Sequence, residues 1–198
     1  MESRDLRMGK SLSAAFRAVD RARFCLDDQG NPVHQTSATQ MIARMLQLLD
    51  VHHGNRVLEV GTGSGFSSAL LAELTGPAGS IVSIDVDPEM TQRAARLLAN
   101  AGYPNVLLVA ADGRKGSLAH APFDRIVAWA SGPTVPVAWR EQARAGAVLV
   151  LPIRDNGKSW VSKYHKTGRG SLVEDARITG GFIPLTATPF RPWEAPSQ

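Results

Sequence analysis

Between residues 56 and 151, short β-rich runs alternate with stretches that carry apolar residues at helical spacing, and this alternation limits the possible folds more than any other feature. Strands are predicted at 56–60, 80–84, 105–109, 125–129 and 147–151, with helices at 66–75, 88–100 and 135–143. Strand and helix in turn, at this spacing, give parallel βαβ units with right-handed crossovers and helices on both faces of one sheet. Two further helices precede the first strand, one through Leu12, Ala15, Phe16 and Val19 and one through Met41, Met45, Leu48 and Leu49. Between them, Asp27-Asp28-Gln29-Gly30-Asn31-Pro32 is a run of turn formers and therefore a loop. The tail breaks the alternation, because 159–165 and 175–185 are both strand-like and 167–170 is a hairpin-turn candidate. The expected fold is a mostly parallel α/β sheet with an antiparallel finish.

The richest segment for function is Val57-Leu58-Glu59-Val60-Gly61-Thr62-Gly63-Ser64-Gly65-Phe66, a strand entering a triple-glycine turn that opens a helix. Glycines there admit a ligand close to the backbone, and the first helical turn offers N–H groups. A dinucleotide fingerprint spaces its glycines G-x-G-x-x-G, whereas this turn runs G-x-G-x-G and follows an acid, Glu59. A carboxylate beside the turn repels phosphates and suits a cation, which favours S-adenosylmethionine, with its ammonium and sulfonium groups. The alternative is a glycine turn used only for tight strand–helix packing.

Acids follow the next two strands as well. Asp85, about twenty residues beyond the turn, is placed to accept from ribose hydroxyls. Asp87-Pro88-Glu89 has the pattern of a helix N-cap, a proline at the first helical position and an acid in the first turn. Asp112 is placed to accept from an adenine amino group, its plain alternative being an Asx-turn before Gly113. Three acids after successive strands converge on one sheet edge, as a nucleoside site at a topological switch point requires.

The chain resembles a class I S-adenosylmethionine-dependent methyltransferase and, more narrowly, the protein-L-isoaspartate O-methyltransferase family. The likeness is carried by Ala15-Phe16-Arg17-Ala18-Val19 with Arg23-Phe24, by Asp112-Gly113-Arg114-Lys115-Gly116 with Ala121-Pro122-Phe123-Asp124, and by Phe182-Ile183-Pro184-Leu185-Thr186. Thr36-Ser37-Ala38-Thr39-Gln40-Met41 is similar to the family's active-site segment and puts Ser37 in the place of its active-site serine. The segment departs from the family at Thr36 and Thr39, where Ile and Pro are common, and the stretch from Phe24 to Ser37 is shorter than in the repair enzymes. The approach through Asp27 to Pro32 is more similar to an actinobacterial branch that methylates aspartate in ribosomally made, cyclised peptides on the way to aspartimide.

The resemblance implies a Rossmann-like class I fold: a mostly parallel seven-stranded sheet with helices on both faces and an antiparallel C-terminal hairpin. Residues 1–50 would form a helical segment carrying the active-site turn and 51–198 the cofactor domain, in one compact unit. Cofactor contacts are expected from Glu59, Gly61, Thr62, Gly63 and Ser64 at the turn. Asp85 with Val86, Asp112 with Gly113, and Thr186 complete the set. The acceptor would be an aspartyl or isoaspartyl carboxylate of a peptide or protein. A carboxylate with a pKa near 4 is already ionised at neutral pH, so a neutral hydroxyl such as that of Ser37 suffices to orient it. The competing readings are a small-molecule or RNA methyltransferase and a cofactor-binding partner protein without turnover. Against the first, the strand Asp124-Arg125-Ile126-Val127-Ala128-Trp129-Ala130 lacks the Asn/Asp-Pro-Pro-aromatic segment of amino-methylating nucleic-acid enzymes.

Composition narrows the rest. The 198 residues are 43% hydrophobic and 20% charged, ample for one ordinary domain. Twenty-two basic against eighteen acidic residues give +4, but no Lys/Arg run tracks a phosphate backbone, so nucleic acid is not favoured as a partner. The single cysteine, Cys25, reads as a small buried hydrophobe, and no disulfide or cysteine-rich metal site is expected. The adjacent His52 and His53 are surface residues and not metal ligands; His34 reads as a solvated loop residue, the alternative being a substrate contact near Ser37, and Trp129 as a core residue next to the site, the alternative being a ring that narrows the acceptor pocket. With no apolar leader at Met1–Lys10 and no run long enough for a membrane span, the expected location is the cytoplasm.

Overall fold

The computed structural model describes residues 9–34 and 36–189, and the seven-stranded α/β sheet expected from the sequence is present. Three helices lead in: α1 (Lys10–Ala18), α2 (Arg21–Cys25) and α3 (Thr39–Leu49). Then come β1 (Arg56–Val60), α4 (Phe66–Thr75), β2 (Ser80–Asp85), α5 (Pro88–Ala101), β3 (Val106–Ala110), β4 (Phe123–Ala128) and α6 (Val137–Gln142). The chain closes with β5 (Ala143–Asp155), β6 (Lys158–Lys166) and β7 (Leu172–Thr179). The strand order is β3-β2-β1-β4-β5-β6-β7. The first five strands are parallel and the last two antiparallel. The order reverses between β1 and β4, and ligands of open α/β sheets bind outside the carboxyl ends of the strands at such a point.

The period-two alternation of the strands divides the core. Val57, Ile81 and Val127 face a layer built with Leu12, Met45, Leu49, Leu70 and Leu98 from helices α1, α3, α4 and α5. Leu58, Val60, Val82, Ile84 and Ile126 face the other side, with Trp139 of α6. Helices lie on both faces, as expected; among the described residues the second face is covered by six-residue α6 and two single 3₁₀ turns, Gly113–Lys115 and Leu118–His120. The connection from β3 to β4 spans residues 111–122 and carries Gly113, Gly116 and Pro122, which interrupt a helix and leave tight turns.

Boundaries shift where local signals compete. Five-residue α2, too short for a readable period, is capped by Asp20, whose carboxylate accepts from the Ala22 N–H at 2.9 Å. The strand expected at 147–151 extends over thirteen residues because Asn156-Gly157, at φ +48° and +75°, folds it back into β6 through a two-residue turn. The strand-like stretch at 175–185 is two structures. β7 ends at Thr179 before Gly180-Gly181, and 183–185 then runs beside Ser131, whose N–H donates to Ile183 O at 2.7 Å and whose C=O accepts from Leu185 N–H at 2.8 Å. That crossing brings the closing segment over the carboxyl edge of the sheet.

Candidate active site

A cavity of about 950 Å³ opens at that edge. Its floor is the glycine turn, Gly61 and Gly63, with Val60 beneath, and its sides are Asp85, Val86, Asp87 and Gly113. The loop from Asp27 to His34 forms one rim, and Ile183, Pro184, Leu185 and Thr186 form the other. Gly61, Gly63 and Gly65 all have positive φ, at +95°, +50° and +85°, so the turn requires the glycine pattern seen in the sequence. At Gly113 a Cβ would run into Val60, which keeps that wall at backbone thickness.

Glu59 is fully buried and does not line the cavity. The strand alternation turns it toward α4, opposite Ser83 of β2 in the sheet register. Ser67 Oγ donates to one carboxylate oxygen at 2.5 Å, and Trp129 Nε1 donates to the same atom at 2.9 Å. The second oxygen accepts from Ser68 Oγ and, at 2.7 Å, from Ser83 Oγ. Burial raises its pKa above the usual carboxylate value, against the pull of these four donors. A direct cation contact was expected from Glu59; its oxygens instead tie β1, β2, α4 and Trp129 together beneath the turn. The signal in the sequence was the pair Ser67-Ser68 in the first turn of an otherwise apolar helix.

Asp85 does line the cavity. Its Oδ2 accepts from Gly63 N–H at 2.8 Å and its Oδ1 from Asp87 N–H at 2.9 Å, so it braces the glycine turn from the next strand. Burial pushes its pKa up, partly offset by those backbone donors. Asp87 caps α5 through Glu89 N–H at 2.9 Å and Met90 N–H at 3.3 Å, as its sequence context predicts. Asp112 lies outside the cavity wall, although Gly113 is part of it. Its carboxylate caps the Gly113–Lys115 turn and is gripped by Arg114, with Nη2 to Oδ2 at 2.8 Å and Nε to Oδ1 at 2.9 Å, which holds its pKa below the usual range. Thr186 lines the rim, with its hydroxyl donating to Thr188 O at 2.6 Å.

Ser37 lines a small adjoining niche of about 30 Å³ with Thr62, Ser64 and Phe66. The helix that follows is capped at Ala38 without a side-chain bond, so Ser37 is not its cap residue. Thr62 Oγ1 is 2.6 Å from Ser83 Oγ, and Ser64 Oγ is 3.7 Å from the thiol of buried Cys25. Ser37, Thr62 and Ser64 are thus gathered behind the turn, while Gly61, Gly63, Asp85, Val86, Gly113 and Thr186 face the large cavity.

The rim was the least readable part. Asp27 closes its own loop, accepting from Asn31 N–H at 2.8 Å and Gln29 N–H at 2.9 Å. Arg93 of α5 fastens this loop from below by donating to Phe24 O at 2.9 Å and Leu26 O at 2.7 Å. It is the one Lys or Arg among the described lining residues, beside Asp27, Asp85, Asp87 and Glu89. A cavity with four carboxylates and one committed guanidinium does not suit a pyrophosphate. It fits a nucleoside that carries ammonium and sulfonium charge. Among the described residues no group of His, Cys, Asp and Glu could hold a metal ion, and no helix is long and apolar enough to cross a membrane.

Comparison with known proteins agrees with this geometry. The family model for protein-L-isoaspartate(D-aspartate) O-methyltransferase matches residues 6–189. A curated protein-L-isoaspartate O-methyltransferase 2 of Archaeoglobus fulgidus is 33% identical over 192 residues, covering 91% of this chain and 87% of the relative. Among solved structures, a protein-L-isoaspartate O-methyltransferase superposes with a TM-score of 0.81 at 23% identity, and the match covers 89% of this chain but 61% of that one. A Plasmodium falciparum protein of the same description, in complex with S-adenosyl-L-homocysteine, superposes with a TM-score of 0.76 at 16% identity over 91% of this chain and 92% of its own. These two likenesses speak to the fold. The chain belongs to the protein-L-isoaspartate(D-aspartate) O-methyltransferase family, enzymes of the class I fold that take their methyl group from S-adenosyl-L-methionine.

Proposed function

We propose that this enzyme methylates a side-chain or α-carboxylate of an aspartyl or isoaspartyl residue in a peptide or protein, with Ser37 orienting the acceptor. The finer reading takes a ribosomally made, cyclised peptide as substrate, its ester then closing to an aspartimide. The observation that carries the proposal is that the niche of Ser37 and the large cavity share Gly61, Gly63 and Trp129 as common walls. A carboxylate at Ser37 therefore borders the space assigned to the cofactor.

The fit supports a division of labour. The turn at Gly61 and Gly63, braced by Asp85, would receive the nucleoside side of the cofactor, with Val86, Gly113 and Thr186 enclosing it. Bound S-adenosyl-L-methionine supplies a sulfonium methyl, so an O–CH₃ bond forms as the S–CH₃ bond breaks, leaving an ester and a neutral thioether with no proton moved. Ser37 has only to hold an already ionised acceptor in line, and a hydroxyl does so without quenching its charge as a close ammonium would. Pro32, Val33, Ile183, Pro184 and Leu185 give the cofactor cavity an apolar rim that limits water around the bound cofactor.

The test is transfer of tritiated methyl to an isoaspartyl peptide, an aspartyl macrocycle and bulk tRNA, scored as base-labile label. Ester on a peptide is expected, and Ser37→Ala should lower its rate by roughly ten- to a hundredfold with S-adenosyl-L-homocysteine affinity within about threefold. Base-stable label on tRNA, or full activity in a folded Ser37→Ala protein, overturns the proposal. Binding of S-adenosyl-L-homocysteine with no transfer to any acceptor favours the partner-protein reading.

A further inference from the structure

Three consecutive carbonyls at the base of the first rim are held from two sides. Helix α2 ends at Cys25, and the carbonyls of a last helical turn have no partner within their own helix. Val33 N–H, on the returning limb of the loop, donates to Cys25 O at 2.8 Å. The carbonyls on either side, Phe24 O and Leu26 O, both accept from Arg93 of α5, at 2.9 Å from Nη1 and 2.7 Å from Nη2. A planar guanidinium is shaped for such a two-pronged contact.

The loop above this base also has bonds of its own. Asp27 N–H donates to Asn31 O at 2.8 Å, Gly30 N–H donates to Asp27 O at 3.0 Å, and Leu26 bridges Pro32 in antiparallel fashion. Bonds made at exposed residues open easily, so they shape the loop without fixing it over the cavity. The base is seated differently. Phe24 and Cys25 are buried, the Phe24 ring 3.5 Å from where a Cβ on Gly65 would stand and the Cys25 thiol 3.7 Å from Ser64 Oγ. Side chains thus seat the base on the glycine turn, while Arg93 fixes its backbone to α5. That helix follows directly on Asp87, whose N–H donates to Asp85. One helix therefore ties the loop to the acid that braces the turn.

We infer that Arg93 is a positioning residue of this enzyme: through Phe24 O and Leu26 O it holds the 26–33 loop down over the cavity and so sets how tightly the cofactor is enclosed. Asp27, Asn31, Pro32 and Val33 of that loop line the cavity. With both terminal nitrogens given to carbonyls, the guanidinium acts on the ligand through the loop and not as a counter-charge. The inference rests on the reading of the large cavity as the cofactor site.

Wild type, Arg93→Ala and Arg93→Lys are compared by hydrogen exchange without ligand and by S-adenosyl-L-homocysteine binding. Steady-state kinetics follow on the peptide that the tritium assay shows to be methylated. In Arg93→Ala the amides of 26–33 should exchange about tenfold faster, with those of β1 unchanged. Affinity for S-adenosyl-L-homocysteine should fall about tenfold, chiefly through faster dissociation, and KM for S-adenosyl-L-methionine should rise in step, while kcat stays within about threefold. Arg93→Lys should follow Arg93→Ala, because one ammonium keeps the charge but does not replace a fork across two carbonyls. A lysine variant with wild-type affinity would show a charge contact with the ligand and overturn the inference. So would an alanine variant that binds within about threefold of wild type, or one whose faster exchange extends through β1 as general destabilisation does. A wild type that binds no S-adenosyl-L-homocysteine overturns the reading of the cavity and this inference together.

Discussion

The turns after β1 and β3 look alike in sequence, each pairing an acid with glycine at the carboxyl edge of the sheet, yet the two acids occupy opposite environments. Glu59 stands one residue before the end of its strand, so the sheet pleat aims it into the helical layer, where four donors close on it. Asp112 stands two residues beyond the end of β3, past the last ladder contact at Ala110, and turns to its own loop and to Arg114. The same residue chemistry gives a buried brace in one place and a surface ion pair in the other. Position relative to the last sheet bond decides which. Asp85, the last residue of β2, is intermediate: it braces backbone and still lines the cavity.

The largest effect should come from the buried member. Glu59→Ala removes the acceptor of three serine hydroxyls and an indole N–H, and buried donors left unpaired cost about 1–3 kcal/mol each. A loss of about 3–5 kcal/mol in urea unfolding is expected after partial rearrangement. A loss below about 1 kcal/mol would mean that the serines find other partners and that burial does not separate the two acids.

The same contrast has a pH signature. Above its ordinary value of 4.5 the Glu59 carboxyl ionises in the unfolded chain, while burial keeps it protonated in the fold to higher pH. The unfolded state then binds fewer protons, so stability falls as pH rises through that window. Asp85, raised from 3.8 by burial, adds to the fall. Asp112, lowered chiefly by Arg114, acts in reverse: its contribution is present above 3.8 and is lost as pH falls through its depressed value. Urea midpoints of wild type and Glu59→Gln across pH 4.5 and above should show a shallower decline in the variant. Equal slopes would remove Glu59 as the source.

How much of this was legible follows from how local each cause is. The βαβ alternation, the glycine turn and the Asp87-Pro88 cap are set by neighbouring residues and could be read directly. Asn156-Gly157 was equally local and goes unused in the sequence reading, although it fixes the length of β5 and the start of the antiparallel finish. The rim could not be read in the same way. Ser131 pairs with a segment more than fifty residues later, and Arg93 holds carbonyls nearly seventy residues earlier, contacts for which the sequence has no spacing rule. Glu59 fell between these cases: its partners sit eight, nine, twenty-four and seventy positions away, and strand register was needed to bring the last two together.

At the intermediate position, Asp85→Ala should weaken S-adenosyl-L-homocysteine binding by roughly ten- to a hundredfold, the range for losing hydrogen bonds to a charged group. Two causes are separable there. If the carboxylate acts only by bracing Gly63, Asp85→Asn, which keeps an acceptor oxygen, should bind within about threefold of wild type. If it also accepts directly from ribose hydroxyls, the asparagine variant should lose about tenfold. Calorimetry on both variants separates a backbone brace from a ligand contact.

The smallest effect should follow Asp112→Ala. Its carboxylate is already bound by the Arg114 guanidinium and backbone N–H, and Asp112 lies outside the cavity wall. An adenine amino group could claim it only by displacing or sharing with the arginine. Exposed ion pairs contribute little, so affinity for S-adenosyl-L-homocysteine should change by less than about threefold, with the urea midpoint nearly unmoved. Arg114→Ala separates the alternatives further. If Asp112 is only a turn cap, freeing it from Arg114 leaves affinity unchanged; if it is an adenine acceptor restrained by Arg114, affinity rises. A drop of tenfold or more in Asp112→Ala, with a rise in Arg114→Ala, would place Asp112 beside Asp85 as a ligand contact and end the contrast between the two turns.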